Sequence, residues 1–263
     1  MLKGIQIRTQ LLQFIIEIKI NFMKQRYHLI YLGIFVLMQS CKKDELNLTP
    51  LSSLNLVTAI VGGGSVKLND NIQDSAKTYN SKLFGLVAGT FNLAVYLSND
   101  MSKPCYNTSS IESVEGANYS LFLTGGITSV EGLFVEDKIP PMYIDSSIGI
   151  RVVNLSPNSS PLNITLASEI SKNVFTNLGY KQISEFVKFP LPNSILNGSA
   201  TFQVRDQAGK LLVSYALPVS VNSTYPGISI QLSRFRNLTL VIKGLQGTTI
   251  GGDALGVFPV ANY

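Results

Sequence analysis

Few side chains in this 263-residue chain are equipped for acid–base, nucleophilic or metal chemistry. Its one histidine, His28, lies beside an apolar run near the start, so the chain from Cys41 onward contains none. That removes Ser-His-Asp and Cys-His catalysis, histidine general bases and histidine metal ligands together. Of the two cysteines, Cys41 and Cys105, the second reads as a small apolar residue, the usual behaviour of a free thiol. Glu136 and Asp137 are adjacent, so on a strand they point to opposite faces and cannot form the facing carboxylate pair of a glycosidase. A solvated linker is the expectation there. Asp70 and Asp74 sit among Asn69, Asn71 and Gln73, but the spacing, glycine and terminal glutamate of a calcium loop are absent, and a polar turn is expected. Gly62-Gly63-Gly64 is followed by neither a helix-forming stretch nor a Lys-Ser/Thr pair, so it reads as a turn and not a phosphate cradle. No catalytic residue, cofactor or metal site is expected.

Cys41 is the residue to which chemistry can be assigned. Residues 29–38 form a continuous apolar run preceded by Lys24 and Arg26, the pattern of a secretory signal and too short to cross a bilayer comfortably. Met23 opens the more compact version of that signal, and translation is expected to start there. Met38-Gln39-Ser40-Cys41 resembles a lipobox of the relaxed type found in Bacteroidota-type outer-membrane lipoproteins. That resemblance implies a diacylated, palmitate-type anchor on Cys41. Each buried CH₂ contributes about 0.8 kcal/mol, so two or more chains hold a protein stably where one holds it marginally. Lys43, Asp44 and Glu45 resemble the signal that sends such lipoproteins to the outer face of the outer membrane, with the protein facing the cell exterior. Asp74-Ser75-Ala76 similarly resembles an O-glycosylation motif, with Ser75 as acceptor.

The leader also accounts for the charge. The net charge is +5, but residues 1–40 carry Lys3, Arg8, Lys19, Lys24 and Arg26 against Glu17. Sixteen basic and fifteen acidic residues remain from Cys41 onward. No basic stripe is left to neutralise phosphates, which argues against a nucleic-acid partner.

The elements that must position everything else are strands. Phe91, Leu93, Val95 and Leu97 alternate with more polar neighbours, and Tyr119, Leu121 and Leu123 do the same. Period-two alternation marks half-buried strands. Residues 54–60, 66–68, 83–87 and 133–135 complete a first set. The order then recurs: 148–154 corresponds to 54–60, 162–166 to the strand at Val66, and 180–186 to 79–84. Likewise 200–205 corresponds to 90–95, 237–244 to 118–125 and 257–260 to 133–135. An internal repeat of this kind means one supersecondary plan used twice. The expected organisation is a leader at 1–40, a lipidated tether at 41–53, a first β-sandwich at 54–145 and a second at 146–263.

Ile150-Arg151-Val152-Val153-Asn154-Leu155-Ser156-Pro157-Asn158 and the segment 209–244 ending in Asn237-Leu238-Thr239-Leu240-Val241-Ile242-Lys243-Gly244 are similar to the domain of unknown function 4397 family. The first copy lacks the Arg and Ser-Pro of that motif. The resemblance implies an all-β chain of two tandem immunoglobulin-like antiparallel sandwiches on a lipid anchor, and it supplies no catalytic residues. The function expected is a non-catalytic cell-surface binding or adhesion module whose ligand is a glycan or an envelope protein. Tyr96, Tyr106, Tyr143, Tyr180, Tyr215 and Tyr225 are available as a glycan-stacking platform. A structural or assembly subunit of an outer-membrane complex is the alternative, and a carboxylate-dependent glycan hydrolase a third reading.

Overall fold

The computed structural model describes residues 49–69, 74–145, 147–190, 199–218 and 236–262, together with Lys19. The chain divides into residues 1–48 and a compact unit, Thr49–Tyr263. That unit is built almost wholly from strands.

The first half contains β1 (Leu51–Thr58), β2 (Val66–Leu68), β3 (Asn80–Val87), β4 (Gly89–Leu97), β5 (Tyr106–Ser113), β6 (Asn118–Gly126) and β7 (Ser129–Glu136). The second contains β8 (Ile148–Asn154), β9 (Leu162–Leu166), β10 (Glu169–Leu178), β11 (Val187–Phe189), β12 (Ser199–Arg205), β13 (Leu211–Pro218), β14 (Asn237–Lys243) and β15 (Gly256–Asn262). One sheet of each half has the order β3-β1-β6-β7 or β11-β8-β14-β15, and the other β2-β4-β5 or β10-β9-β12-β13. These are the same plan twice, with β10 added at an edge in the second copy. Neighbouring strands are antiparallel except β1 with β6 and β8 with β14, which run parallel. The expected antiparallel sandwiches therefore carry one parallel pair apiece, because each half brings its first strand beside a much later one.

The duplication extends to register. Ser53 pairs with Asn118 and Leu56 with Leu121 in the first half; Gly149 pairs with Asn237 and Val152 with Leu240 in the second. Gly125 and Gly244 end corresponding strands with φ of 82° and 80°. A Cβ there would collide with the carbonyl oxygen of Ser129 or of Ala254, so glycine is required twice for the same close approach. The 180–186 segment departs from its expected role. The counterpart to β3 is the shorter β11, which begins directly after that segment, at Val187.

Three cores hold the unit together. Leu54, Leu56, Leu93, Val95, Leu121 and Leu123 fill the space between the first half's two sheets. Ile150, Val152, Ile164, Phe202, Val204 and Leu240 do so in the second. The third lies between the halves, where Val57, Ala59 and Phe122 meet Val153, Leu155, Val241 and Val260. By register these are corresponding positions, Val57 with Val153 and Phe122 with Val241, so the two inner sheets pack on equivalent faces. The result is four sheets in a stack, not two sandwiches joined only by a linker. Strands β1, β6, β8 and β14 are consequently buried on both faces, as their nearly continuous apolar runs require. Alternation within β6 gave one buried face; Ser120, Phe122 and Thr124 on the other are also fully buried.

Phe122 is central to the shared core and has no exposed surface. Phe122→Ala is expected to destabilise the whole unit by about 3–5 kcal/mol. Urea unfolding should show one cooperative transition shifted as a whole, with both halves melting together.

Candidate functional site

Where the halves meet, β7 delivers Asp137 just past its end and β8 delivers Arg151 from the face opposite its own core. Arg151 Nη2 donates to Asp137 Oδ1 at 2.5 Å, and Nε donates to Thr239 Oγ1 at 2.8 Å. The side chains are 5% and 2% exposed. Ser120 donates to Asp137 Oδ2 at 2.6 Å, and Thr239 donates to Asn262 Oδ1, also at 2.6 Å. The guanidinium lies 4.7 Å from the centre of the Phe186 ring, a cation–π contact. Buried charges persist only when paired and hydrogen-bonded, and here both conditions are met. Glu136 is exposed and Asp137 buried, so the two do point apart as expected. The solvated-linker expectation is corrected for Asp137: its carboxylate is sealed into the junction between the halves.

The rest of the 150–158 motif is structural too. Asn154, fully buried, donates from Nδ2 to Leu178 O and to Ser159 Oγ, both at 3.0 Å, and accepts from the Ser156 N–H at 3.0 Å. Ser156 donates to Gly244 O at 2.7 Å. Asn158 and Gln246 bond reciprocally through side chain and backbone at 3.0 and 2.8 Å. These bonds satisfy loop backbone that would otherwise be left unpaired.

At the opposite end of the shared core a second set of contacts crosses between the halves. Asp253 Oδ1 accepts from the Gly62 N–H at 2.9 Å and from the Tyr79 hydroxyl at 2.7 Å. The backbone donor, followed by the phenol, holds the Asp253 carboxyl below the usual carboxylate range. Burial, with the carboxylate beside it, raises the Tyr79 phenol well above its ordinary value. Lys243 Nζ lies 4.2 Å from the centre of the Tyr79 ring and donates to the carbonyls of Gly252 and Ala254; burial pulls its pKa down. Nearby, Glu131 accepts from Lys181 at 3.0 Å and from Tyr180 at 3.2 Å. Tyr180 is thus spent on a contact between halves, and Tyr106 packs its ring against Gly132, where a Cβ would strike it. Burial raises the phenols of Tyr106, Tyr180 and Tyr215. These three tyrosines are partly buried rather than spread as a stacking platform, while Tyr225 lies outside the described residues.

A cavity of about 210 Å³ opens between the sheets of the second half. Ile148 and Phe189 line it from the inner sheet, and Leu166, Ala200, Phe202 and Leu217 from the outer one. Phe189 and Phe202 meet edge to face at 5.5 Å and 80°. Ser168 and Thr201 are the polar residues at the cavity wall, and among the described residues that line it none is ionisable. Its volume is below the few hundred Å³ of a typical small-molecule pocket, enough for one ring or a short branched alkyl group.

Cys41, Lys43, Asp44 and Glu45 lie outside the described residues, as does Asp70. Ser75 is half-buried beside Ala76, whose backbone bridges to Val66. Asp74 pairs with Lys82 at 2.9 Å. Among the described residues no cluster of three or more His, Cys, Asp or Glu side chains comes together as a metal site would require. Cys105 packs against the first core, and burial raises its thiol, which suits an inert apolar residue.

No protein-family profile matches the chain, and no curated protein matches it. Solved structures similar to it include the C-terminal domain of AlgF from P. aeruginosa, 17% identical over 34% of this chain and 98% of that one, with a TM-score of 0.26. A streptococcal virulence factor that binds alpha-glucan is 8% identical over 79% of this chain and 96% of its own, with a TM-score of 0.23. An adhesin candidate from Bacteroides ovatus is 11% identical over 85% of this chain and 99% of its own, with a TM-score of 0.22. At scores this low none of the three bears on what the present chain binds.

The junction makes a sharp energetic prediction. Arg151→Met or Asp137→Leu alone strands a buried charge and is expected to cost about 3–5 kcal/mol. The double variant should recover much of that loss, with a coupling of at least about 2 kcal/mol in a urea double-mutant cycle.

Proposed function

We propose that this is a lipid-anchored, non-catalytic envelope protein, held at the outer membrane through Cys41 and binding a surface component through its second half. The observation that carries the binding reading is the composition of the cavity at Ile148, Phe189 and Phe202. An apolar hollow with no ionisable side chain among its described lining residues can hold a ring or alkyl group, and none of those residues is a general acid or a general base. The buried ionisable pair, Arg151 with Asp137, is engaged in the junction. The ligand group that fits is apolar and small, presented at the end of a larger molecule such as an envelope glycan or protein.

Ala200 is half-buried at the cavity wall. Ala200→Trp should fill the space and abolish retention of envelope components on immobilised protein, with the melting temperature as the control for folding. Retention unchanged by a folded Ala200→Trp variant would locate binding elsewhere. The anchor is tested separately: Cys41→Ala should abolish fatty-acid labelling and release the protein from membranes.

A further inference from the structure

The internal repeat offers a comparison that single domains lack, since the filling of one copy's core can be read against the other's. Leu68 lies as far beyond Ser53 as Ile164 lies beyond Gly149, so the two are equivalent. Leu68 pairs with Val95 on β4, and Ile164 with Val204 on β12. Val95 therefore matches Val204, and alternate residues back along each strand match Leu93 with Phe202 and Phe91 with Ala200. Phe91 in turn stands opposite Ile111, and Ala200 opposite Leu217.

This correspondence explains the cavity of the second half. The Phe91 ring packs against the core of the first half. A methyl group takes its position in the second, at the wall of the hollow of about 210 Å³. The walls differ in the complementary sense. At the positions of Leu86 and Leu93 the second half has Phe189 and Phe202, which meet edge to face at 5.5 Å. The second copy thus carries aromatic rings around a space where the first copy carries one inside it. A protein cavity of about 150 Å³ lined by Leu, Ile and Phe stays dry and takes up benzene. A ring set against Phe189 and Phe202 gains the edge or offset contact that aromatic groups prefer. A saturated group of the same size gains only its buried area, and a charge on the ring would be left unpaired.

We infer that the occupant of this cavity is an uncharged monocyclic aromatic ring of benzyl size, carried by a polypeptide side chain or by a free aryl compound. The inference rests on the reading of the cavity as the binding site. The ring enters beside Ala200 and completes from outside a core that Phe91 completes from within in the first half.

The test uses the full chain in detergent and two pairs of probes: benzyl alcohol with cyclohexylmethanol, and N-acetylphenylalanine amide with N-acetylcyclohexylalanine amide. Saturation-transfer NMR measures affinity, with protein-free micelles as background. The aromatic member of at least one pair should bind about three- to tenfold more tightly than its saturated partner, and the pair that does so tells a side chain from a free compound. Ala200→Phe should abolish this binding and raise the melting temperature by at least about 2 °C, because it supplies the ring that the first half already has. Equal binding of aromatic and saturated probes, lost in Ala200→Phe, would overturn the aromatic inference and leave the cavity as the binding site. Absence of binding by all four probes would overturn both. A variant that still binds the ring, or that melts below the parent chain, would overturn the inference by showing that the hollow is not the counterpart of the Phe91 ring.

Discussion

Val57, Phe122, Val153 and Val241 meet on faces that a solitary sandwich would keep polar. Everything else in the unit follows from covering those faces. A sheet between two cores must be apolar on both sides, so the four central strands lose the alternation that marks their neighbours. Of the hydroxyl and amide groups they retain, those of Ser120, Thr239 and Asn154 find partners inside the stack. The duplicated plan becomes one folding unit because neither copy can leave its inner sheet uncovered.

The same constraint explains where the two copies differ. The register places Asn55 at the position of Arg151, and Asn262 at that of Asp137. Asn55, Asp137 and Asn262 line one crevice at the junction. A second Arg–Asp pair there would bring like charges together in a setting with little water to screen them. One charged pair and its neutral counterparts satisfy the site, so the first copy lacks the Arg of the motif without having lost any structural requirement.

Much of the architecture is legible in the chain. Alternation locates Phe91–Leu97 and Tyr119–Leu123, and the repeated strand order anticipates six strand correspondences, of which the 180–186 segment is displaced. Strands β5, β10 and β13 are missed, all three at sheet edges; β5, for one, is the polar Tyr-Asn-Thr-Ser-Ser-Ile-Glu-Ser, with a left-handed Ser110 and a shifted register. Their place is fixed by backbone hydrogen bonds to a neighbour, which leave no period in the side chains. The fate of Asp137 is equally hidden. A carboxylate next to Glu136 and Lys138 looks solvated until the partner sheet arrives with Arg151, more than a strand length away in sequence. The cavity escapes for a related reason, since Ile148, Phe189 and Phe202 become neighbours only when two sheets close on each other.

Strand β1 has one more property. It is hydrogen-bonded to antiparallel β3 along its full length from Leu51 to Thr58, and from Ser53 onward also to parallel β6. The chain enters the stack at the free end of this doubly flanked strand. A pull applied upstream of Leu51 therefore runs along the strand and loads two ladders in shear at once, so that many bonds must yield together instead of peeling one by one. The fold meets tension from its N-terminal side with a strand laddered on both edges.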